Sequence, residues 1–223
     1  LALHEVFHVA TQQLGGLLRT GIPAYRLAKD LIDRRVEQLQ AEGVRFVTGV
    51  RVGADIPASQ LRNDFDAVCL AVGAQKPRDL SVPGRELEGV HLALDFLRAR
   101  NARRQAAATV GVGARGADEE ADSPLSARGK SVVVIGGGLT GADCAEAALL
   151  DGAREVHQFE ILPEAEAPRL APLDDSPADE QSVRRRWCVA AQAFEGGDGR
   201  LRGVRAARVK WTPSPEGRVA REL

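Results

Sequence analysis

The chain lacks charge of one sign, long apolar runs, paired cysteines and methionine, and each absence removes a class of function. Lys and Arg number 30 against 31 Asp and Glu, a net charge of −1, so no global positive field draws the protein to nucleic acid or to an anionic membrane. No apolar run approaches the roughly 20 residues that a membrane-spanning helix needs, and the opening LALHEVFHVA has neither the basic region nor the cleavage pattern of a signal peptide. The expected compartment is cytoplasmic. Cys69, Cys144 and Cys188 are isolated, with no C-x-x-C pair, so this chain alone supplies neither a redox dithiol nor a set of iron–sulfur ligands. They are expected to be small buried hydrophobes. His4, His8, His91 and His157 show no metal-ligand spacing, and no metal site is expected. No Ser-His-Asp or paired-carboxylate constellation is present, so no catalytic acid or base is assigned. The absence of Met and the start at Leu1 are expected of a fragment or a processed product.

What the chain does have is SVVVIGGGLTGADC, residues 131–144. Val132, Val133, Val134 and Ile135 form an unbroken β-branched run, which predicts a parallel strand buried on both faces. Gly136, Gly138 and Gly141 then fit G-x-G-x-x-G, with Gly137, Leu139 and Thr140 between them. The first glycine permits a tight turn, the second lets backbone approach a pyrophosphate, and the third lets helix pack on strand. A helix through Ala142, Ala145, Ala147, Ala148, Leu149 and Leu150 would aim its free N–H groups at the phosphates, with Gly152 placed to end it. The run EVHQFEIL, residues 155–162, reads as the second strand of a β-α-β unit. It carries Glu160, roughly 20 residues on, where a carboxylate would accept from ribose hydroxyls. Such an acid disfavours a 2′-phosphate, so a weak preference for NADH is expected, softened by Arg154 and Arg169 nearby in sequence.

More than half the chain precedes this motif. Residues 25–42 place Leu27, Leu31, Val36 and Leu39 on one helical face, stopped by Gly43. Strands are expected at VRFVTGV and AVCLAVGA, separated by Pro57 and a short polar helix or turn. Residues 101–128, rich in Ala, Gly, Arg and acid, read as a mobile surface insertion.

Three stretches carry a family resemblance: GGLLRTGIP at 15–23, LAVGAQKPRDLSVPGRELEGVHLALDFL at 70–97, and GKSVVVIGGGLTGADCAEAALLDGAREVHQFEILP at 129–163. In this order they resemble the small, NAD(P)H-oxidising flavoprotein part (beta subunit) of glutamate synthase, related to the flavin half of dihydropyrimidine dehydrogenase. The likeness covers most of residues 1–163 outside the insertion and resumes weakly at GRLRGVRAARVKW, 199–211, which is similar to that family's β-hairpin. The resemblance implies an α/β fold in which a Rossmann-like nicotinamide domain of three-layer β/β/α type is inserted in a partial FAD-binding domain. The domain boundaries it implies are 1–82 for the FAD part and 83–223 for the NAD(P)H part, with Pro83 and Gly84 as the hinge.

Site residues follow from the same resemblance. Gly15, Gly16, Leu17 and Leu18 match the turn lying along the flavin, Val50 the strand beside the adenine, and Ala71, Val72 and Gly73 the crossover near the cofactor. Lys76, Arg78 and Asp95 sit in matching segments and could equally pair with one another on the surface. The chain departs from the family as well. It begins after the family's first FAD glycine motif, the ribose acid expected near Val9 or Ala10 is absent, Thr20 replaces an aromatic, and Leu139 replaces an acid. The FAD site is therefore expected to be incomplete. Arg184, Arg185 and Arg186 read as a solvated charge run rather than a phosphate site. The resemblance implies an NAD(P)H-dependent flavoprotein oxidoreductase that passes a hydride from NAD(P)H to FAD. Electrons would continue through iron–sulfur clusters not ligated by this chain to a glutamate synthase large subunit or domain. A non-catalytic nucleotide-binding or interaction module without flavin stays open as the alternative.

Overall fold

An apolar run becomes a strand only where another strand completes its hydrogen bonds, and this decides where the structure follows the sequence. The computed structural model describes residues 5–7, 13–74, 76–110, 125–166, 182–214 and 217–223. The chain divides into two compact units, Leu1–Arg78 and Asp79–Leu223.

In the first unit, strand β1 (Glu5–Phe7) and strand β2 (Arg45–Val47) pair in parallel. Between them lie helix α1 (Gly16–Thr20) and helix α2 (Lys29–Ala41). Helix α2 starts four residues later than the sequence predicts, because residues 23–27 close a turn in which the Arg26 and Leu27 N–H groups both donate to the Pro23 carbonyl. Its buried residue is Ile32, one position beyond the predicted Leu31, which is exposed; Val36 and Leu39 complete the face. Helix α3 (Ala58–Asp64) follows Pro57. Residues 67–74 form no strand: Leu70 is 81% exposed and Val72 66%. High β-propensity supplies no ladder by itself, and no described strand pairs with this segment. Cys69, on the same segment, is exposed rather than buried.

The second unit opens with helix α4 (Ala93–Val110) and strand β3 (Ser131–Ile135), followed by helix α5 (Leu139–Leu150) and strand β4 (Glu155–Phe159). Strand β5 (Val183–Arg186) completes a parallel sheet in the order β3-β4-β5. Strands β6 (Val189–Gly197), β7 (Arg200–Ser214) and β8 (Gly217–Glu222) form an antiparallel meander. The meander is tied to the C-terminal end of β4 by Val189 N–H to Glu160 O at 2.9 Å and by Trp211 Nε1 to Ile161 O at 2.8 Å.

The core lies between helices α4 and α5 and one face of the parallel sheet. Ala145 and Ala148 meet Val156 and Val183, while Leu97 meets Cys144 and Ala147. Small side chains let α5 approach the sheet closely, which is why an alanine-rich helix suits this place. The pleat directs Val132 and Val134 into that core and leaves Val133 and Ile135 on the opposite face, exposed. Strand β3 is thus buried on one face, not two.

The insertion expected at 101–128 is described only at its two ends, where the structure is ordered into a helix and a buried turn. Helix α4 runs through its first ten residues, and Ser126 and Ala127 at its end are buried. Ala and Arg are strong helix formers that need no large hydrophobes, and Arg100 anchors the helix by a buried ion pair to Asp151 at 2.6 Å. Residues 111–124 lie outside the described residues.

Candidate functional site

The glycines after β3 are required for different physical reasons. Gly136 has φ of 118°, a conformation that disfavours any side chain. A Cβ on Gly141 would lie 2.1 Å from the Gly136 carbonyl oxygen, so only hydrogen fits there. A Cβ on Gly137 would meet the Glu160 side chain at 2.8 to 2.9 Å. Gly138 differs: its φ is −74°, and an added Cβ would meet nothing within 4 Å. The space before Gly138 is therefore open, and Gly138 is the N-cap of α5 with no side-chain cap bond. The earliest N–H groups of a helix have no intrahelical partner, and the helix dipole is positive at that end. In α5 these belong to Leu139, Thr140 and Gly141. Open volume, free donors and positive potential coincide, which fits the pyrophosphate of a dinucleotide.

Glu160 stands just past the end of β4 and is buried. Its Oε2 accepts from the Gly137 N–H, and its Oε1 accepts from the Leu162 N–H at 2.8 Å. The carboxylate thus shapes the loop whether or not it also meets a ribose. Arg154 is placed at the opposite end of β4 and donates to Ser131 Oγ at 2.6 Å, about 20 Å of strand away from Glu160. It cannot soften the charge there. Arg169 lies outside the described residues.

Gln158 is a site residue that the sequence reading missed. It is 3% exposed on β4, and its Nε2 donates to the Gly136 carbonyl at 2.9 Å. Its Oε1 accepts from Arg185 Nε at 3.1 Å. The available signal was a polar residue at the inward position of a parallel strand, two residues before the acid. The arginine run is accordingly more than a solvated face, since Arg185 holds a buried amide, although Arg184 stays on the surface 3.6 Å from Glu155.

The flavin-lining candidates lie in the other unit. Gly15 has φ of 107°, and a Cβ there would stand 2.9 Å from Ile32 Cγ2, so glycine is doubly required. Gly16 opens α1, while Leu17 and Leu18 are exposed. Two cations brace this turn. Arg19 donates to Leu14 O at 2.7 Å and pairs with Asp33, and Lys29 Nζ donates to the carbonyls of Leu18 and Ile22 at 2.7 and 2.6 Å. Partial burial, and then the Arg19 charge, hold the Lys29 pKa below its ordinary value. Val50 is half-buried, and Ala71, Val72 and Gly73 are exposed on the irregular segment. The structure brings Glu160 together with the loop glycines; Gly15, Gly16, Leu17, Leu18, Val50, Ala71, Val72 and Gly73 have separate local settings. Val9 and Ala10 lie outside the described residues. No cluster of His, Cys, Asp or Glu among the described residues could hold a metal ion, and no described helix is long and apolar enough to cross a membrane.

Comparison with known proteins gives a consistent picture. A family model described as pyridine nucleotide-disulphide oxidoreductase matches residues 17–172. A glutamate synthase [NADPH] small chain from Mycobacterium tuberculosis is 45% identical over 206 residues, which cover 88% of this chain and 41% of the relative. A second, from Bacillus subtilis, is 43% identical over 158 residues, 71% of this chain and 29% of the relative. The chain thus spans less than half the length of these curated relatives. Among solved structures, FprA from Mycobacterium tuberculosis in complex with NADPH superposes with a TM-score of 0.66 at 20% identity, covering 93% of this chain and 57% of FprA. At that identity the likeness speaks for the fold.

Proposed function

Because the chain belongs to the pyridine nucleotide-disulphide oxidoreductase family, with glutamate synthase small chains among its relatives, we propose that it binds NADH or NADPH at the loop before α5 and serves a flavoprotein oxidoreductase of the glutamate synthase type. The observation that carries this reading is the open volume before Gly138 at an uncapped helix N-terminus. Bound there, the dinucleotide supplies a hydride. The protein's part is to hold and orient it. The N–H groups at the start of α5 meet the pyrophosphate, and Glu160, already fixed by two backbone donors, faces the adenosine ribose.

The finer parts of the reading rest on the relatives. Gly15, Gly16, Leu17, Leu18, Val50, Ala71, Val72 and Gly73 would line an FAD that takes the hydride. The exposed apolar surface at Leu17, Leu18 and Val72 fits a flat apolar ring system. Electrons would leave through iron–sulfur clusters held elsewhere to a glutamate-forming large subunit, as the name "small chain" in the relatives suggests. The proposed compartment is the cytosol, where an exposed free thiol such as Cys69 persists unpaired. The exposure of residues 67–74 supports a second reading, a nucleotide-binding module without flavin. The visible absorbance of the purified protein separates the two.

The test of the main reading is a thermal-shift titration with NADH and NADPH of the parent and Gly138→Val. Ligand at a hundredfold over its dissociation constant stabilises the parent by about 2.7 kcal/mol. The variant, whose added methyl groups enter the open volume, keeps its fold and shows no shift. Equal shifts in both proteins would overturn the reading.

A further inference from the structure

The peptide between Gly136 and Gly137 is gripped at both of its polar ends by side chains of one short segment. Its carbonyl accepts from Gln158 Nε2 at 2.9 Å, and its N–H donates to Glu160 Oε2. The N–H of the preceding peptide, on Gly136, donates to Phe159 O at 2.8 Å. Residues 158, 159 and 160 thus take three consecutive backbone groups of the loop. Gln158 is itself oriented without ambiguity, because a guanidinium only donates and a carbonyl only accepts. Its oxygen must face Arg185 and its nitrogen Gly136.

This grip decides which way the peptide dipole points. The Gly136 carbonyl is turned toward Gln158 and against Gly141, and the Gly137 N–H is turned toward Glu160. Reversal of that peptide would turn its oxygen to the side its N–H now takes, against the Glu160 carboxylate, and would remove the donor that fixes that carboxylate beside the loop. Gly136, with φ of 118°, has the conformational freedom to make such a reversal, so something must forbid it.

We propose that Gln158, held in place by Arg185, is a positioning residue for dinucleotide binding: it locks the 136–137 peptide with its N–H turned to Glu160, and so keeps that carboxylate and the loop before α5 in place. The proposal rests on the dinucleotide reading given above. Glu160 acts on the same peptide from the N–H end. Gln158 acts from the carbonyl end and never touches the ligand.

The experiment is a fluorescence titration of NADH and NADPH against the parent, Gln158→Met, Arg185→Met and Gln158→Glu, with the ligand-free thermal midpoint of each. Gln158→Met keeps the side-chain volume and loses the donor, and its Kd rises about tenfold, the equivalent of one hydrogen bond. Arg185 lies exposed on β5, so Arg185→Met folds even if a buried substitution does not, and its Kd rises about threefold. In Gln158→Glu the introduced carboxyl is flanked by Glu160 just past the end of its own strand and by Arg185 across the sheet. Protonated, it donates to Gly136 O and binding approaches that of the parent; ionised, it faces the carbonyl oxygen and binding weakens as pH rises. The parent, which shares Glu160, is the control and keeps a flat profile. A residue that only filled space would give no such pH dependence. The proposal is overturned if Gln158→Met and Arg185→Met bind within twofold of the parent, or if Gln158→Glu follows the parent at every pH. A parent that binds neither dinucleotide overturns the functional reading and this proposal with it, and the parent titration alone separates that failure from the others.

Discussion

At the scale of single residues, the loop separates stability from binding. Gly141→Ala forces a methyl group to 2.1 Å from the Gly136 carbonyl oxygen. The loop and helix must then move apart, at about 1–3 kcal/mol, read as a lowered denaturant midpoint before any ligand is added. Gly138→Ala adds its methyl to open space, leaves stability within about 0.5 kcal/mol, and weakens only the dinucleotide. Cys144 offers a second test. Burial pushes its thiol up to about 12, with Asp143 adding to the effect. The folded state keeps a proton that the unfolded chain begins to lose near its ordinary pKa of about 8.5. Stability therefore falls as pH rises from that value toward 12. A thiol reagent at pH 8 labels exposed Cys69 first and reaches Cys144 only on unfolding; early labelling of Cys144 would contradict this. The glycines were legible in the sequence because their constraints are local and steric. Gln158 was not, since a strand residue's facing is known only once its neighbours across the sheet are known.

At the scale of elements, helices α4 and α5 are pinned by one buried cation–anion contact. Arg100 and Asp151 are 1% and 2% exposed, and Arg103 reaches Asp151 at 3.7 Å. An acid just past a helix C-terminus opposes the dipole, and the two arginines offset it. Asp151→Ala removes a carboxylate that a buried guanidinium contacts at 2.6 Å and lowers stability by about 3–5 kcal/mol. The double change Arg100→Met with Asp151→Ala recovers much of that loss. Urea unfolding of Asp151→Ala, Arg100→Met and the double variant decides the point, and additive losses would refute it. Arg100 and Asp151 are separated by 51 residues, which explains why the end of α4 reads as loop in sequence. The reverse error at 67–74 has the same origin, since an apolar run carries no information about whether a partner strand exists. Helix α5 escaped this problem because glycine loop, alanine face and Gly152 stop all lie within the element itself.

At the scale of the whole molecule, two compact units divide the proposed site residues. The dinucleotide loop, Gln158 and Glu160 lie in the second unit and the flavin-lining candidates in the first. Leu70 and Val72 in the first unit are exposed, so replacing both with Asp costs no more than about 0.5 kcal/mol each. The same change lowers self-association, because exposed apolar surface drives it. Light scattering of the parent and the double variant at matched concentration measures this, and unchanged scattering would show that another surface is responsible. The two compact units meet between residues 78 and 79, where composition changes little; the expected boundary at 82 and 83 came from resemblance alone.

The lacing of the second unit's opening segment to its meander has a further consequence. Phe194 N–H donates to Pro83 O at 2.8 Å, a Cβ on Gly84 would strike the Phe194 carbonyl at 2.1 Å, and Leu201 N–H donates to Glu88 O at 2.9 Å. Glu88 also pairs with Arg200 across 112 residues of chain. Contacts of such sequence separation require a long loop to close before they return any energy, and they slow folding. During synthesis the backbone groups of Pro83 and Glu88 wait for these partners until Phe194 and Leu201 have emerged. The β3-α5-β4 motif contains only local contacts and can form well before that moment. Dinucleotide presented to a nascent chain would accordingly find a nearly finished phosphate loop on a unit whose outer sheet has not yet closed.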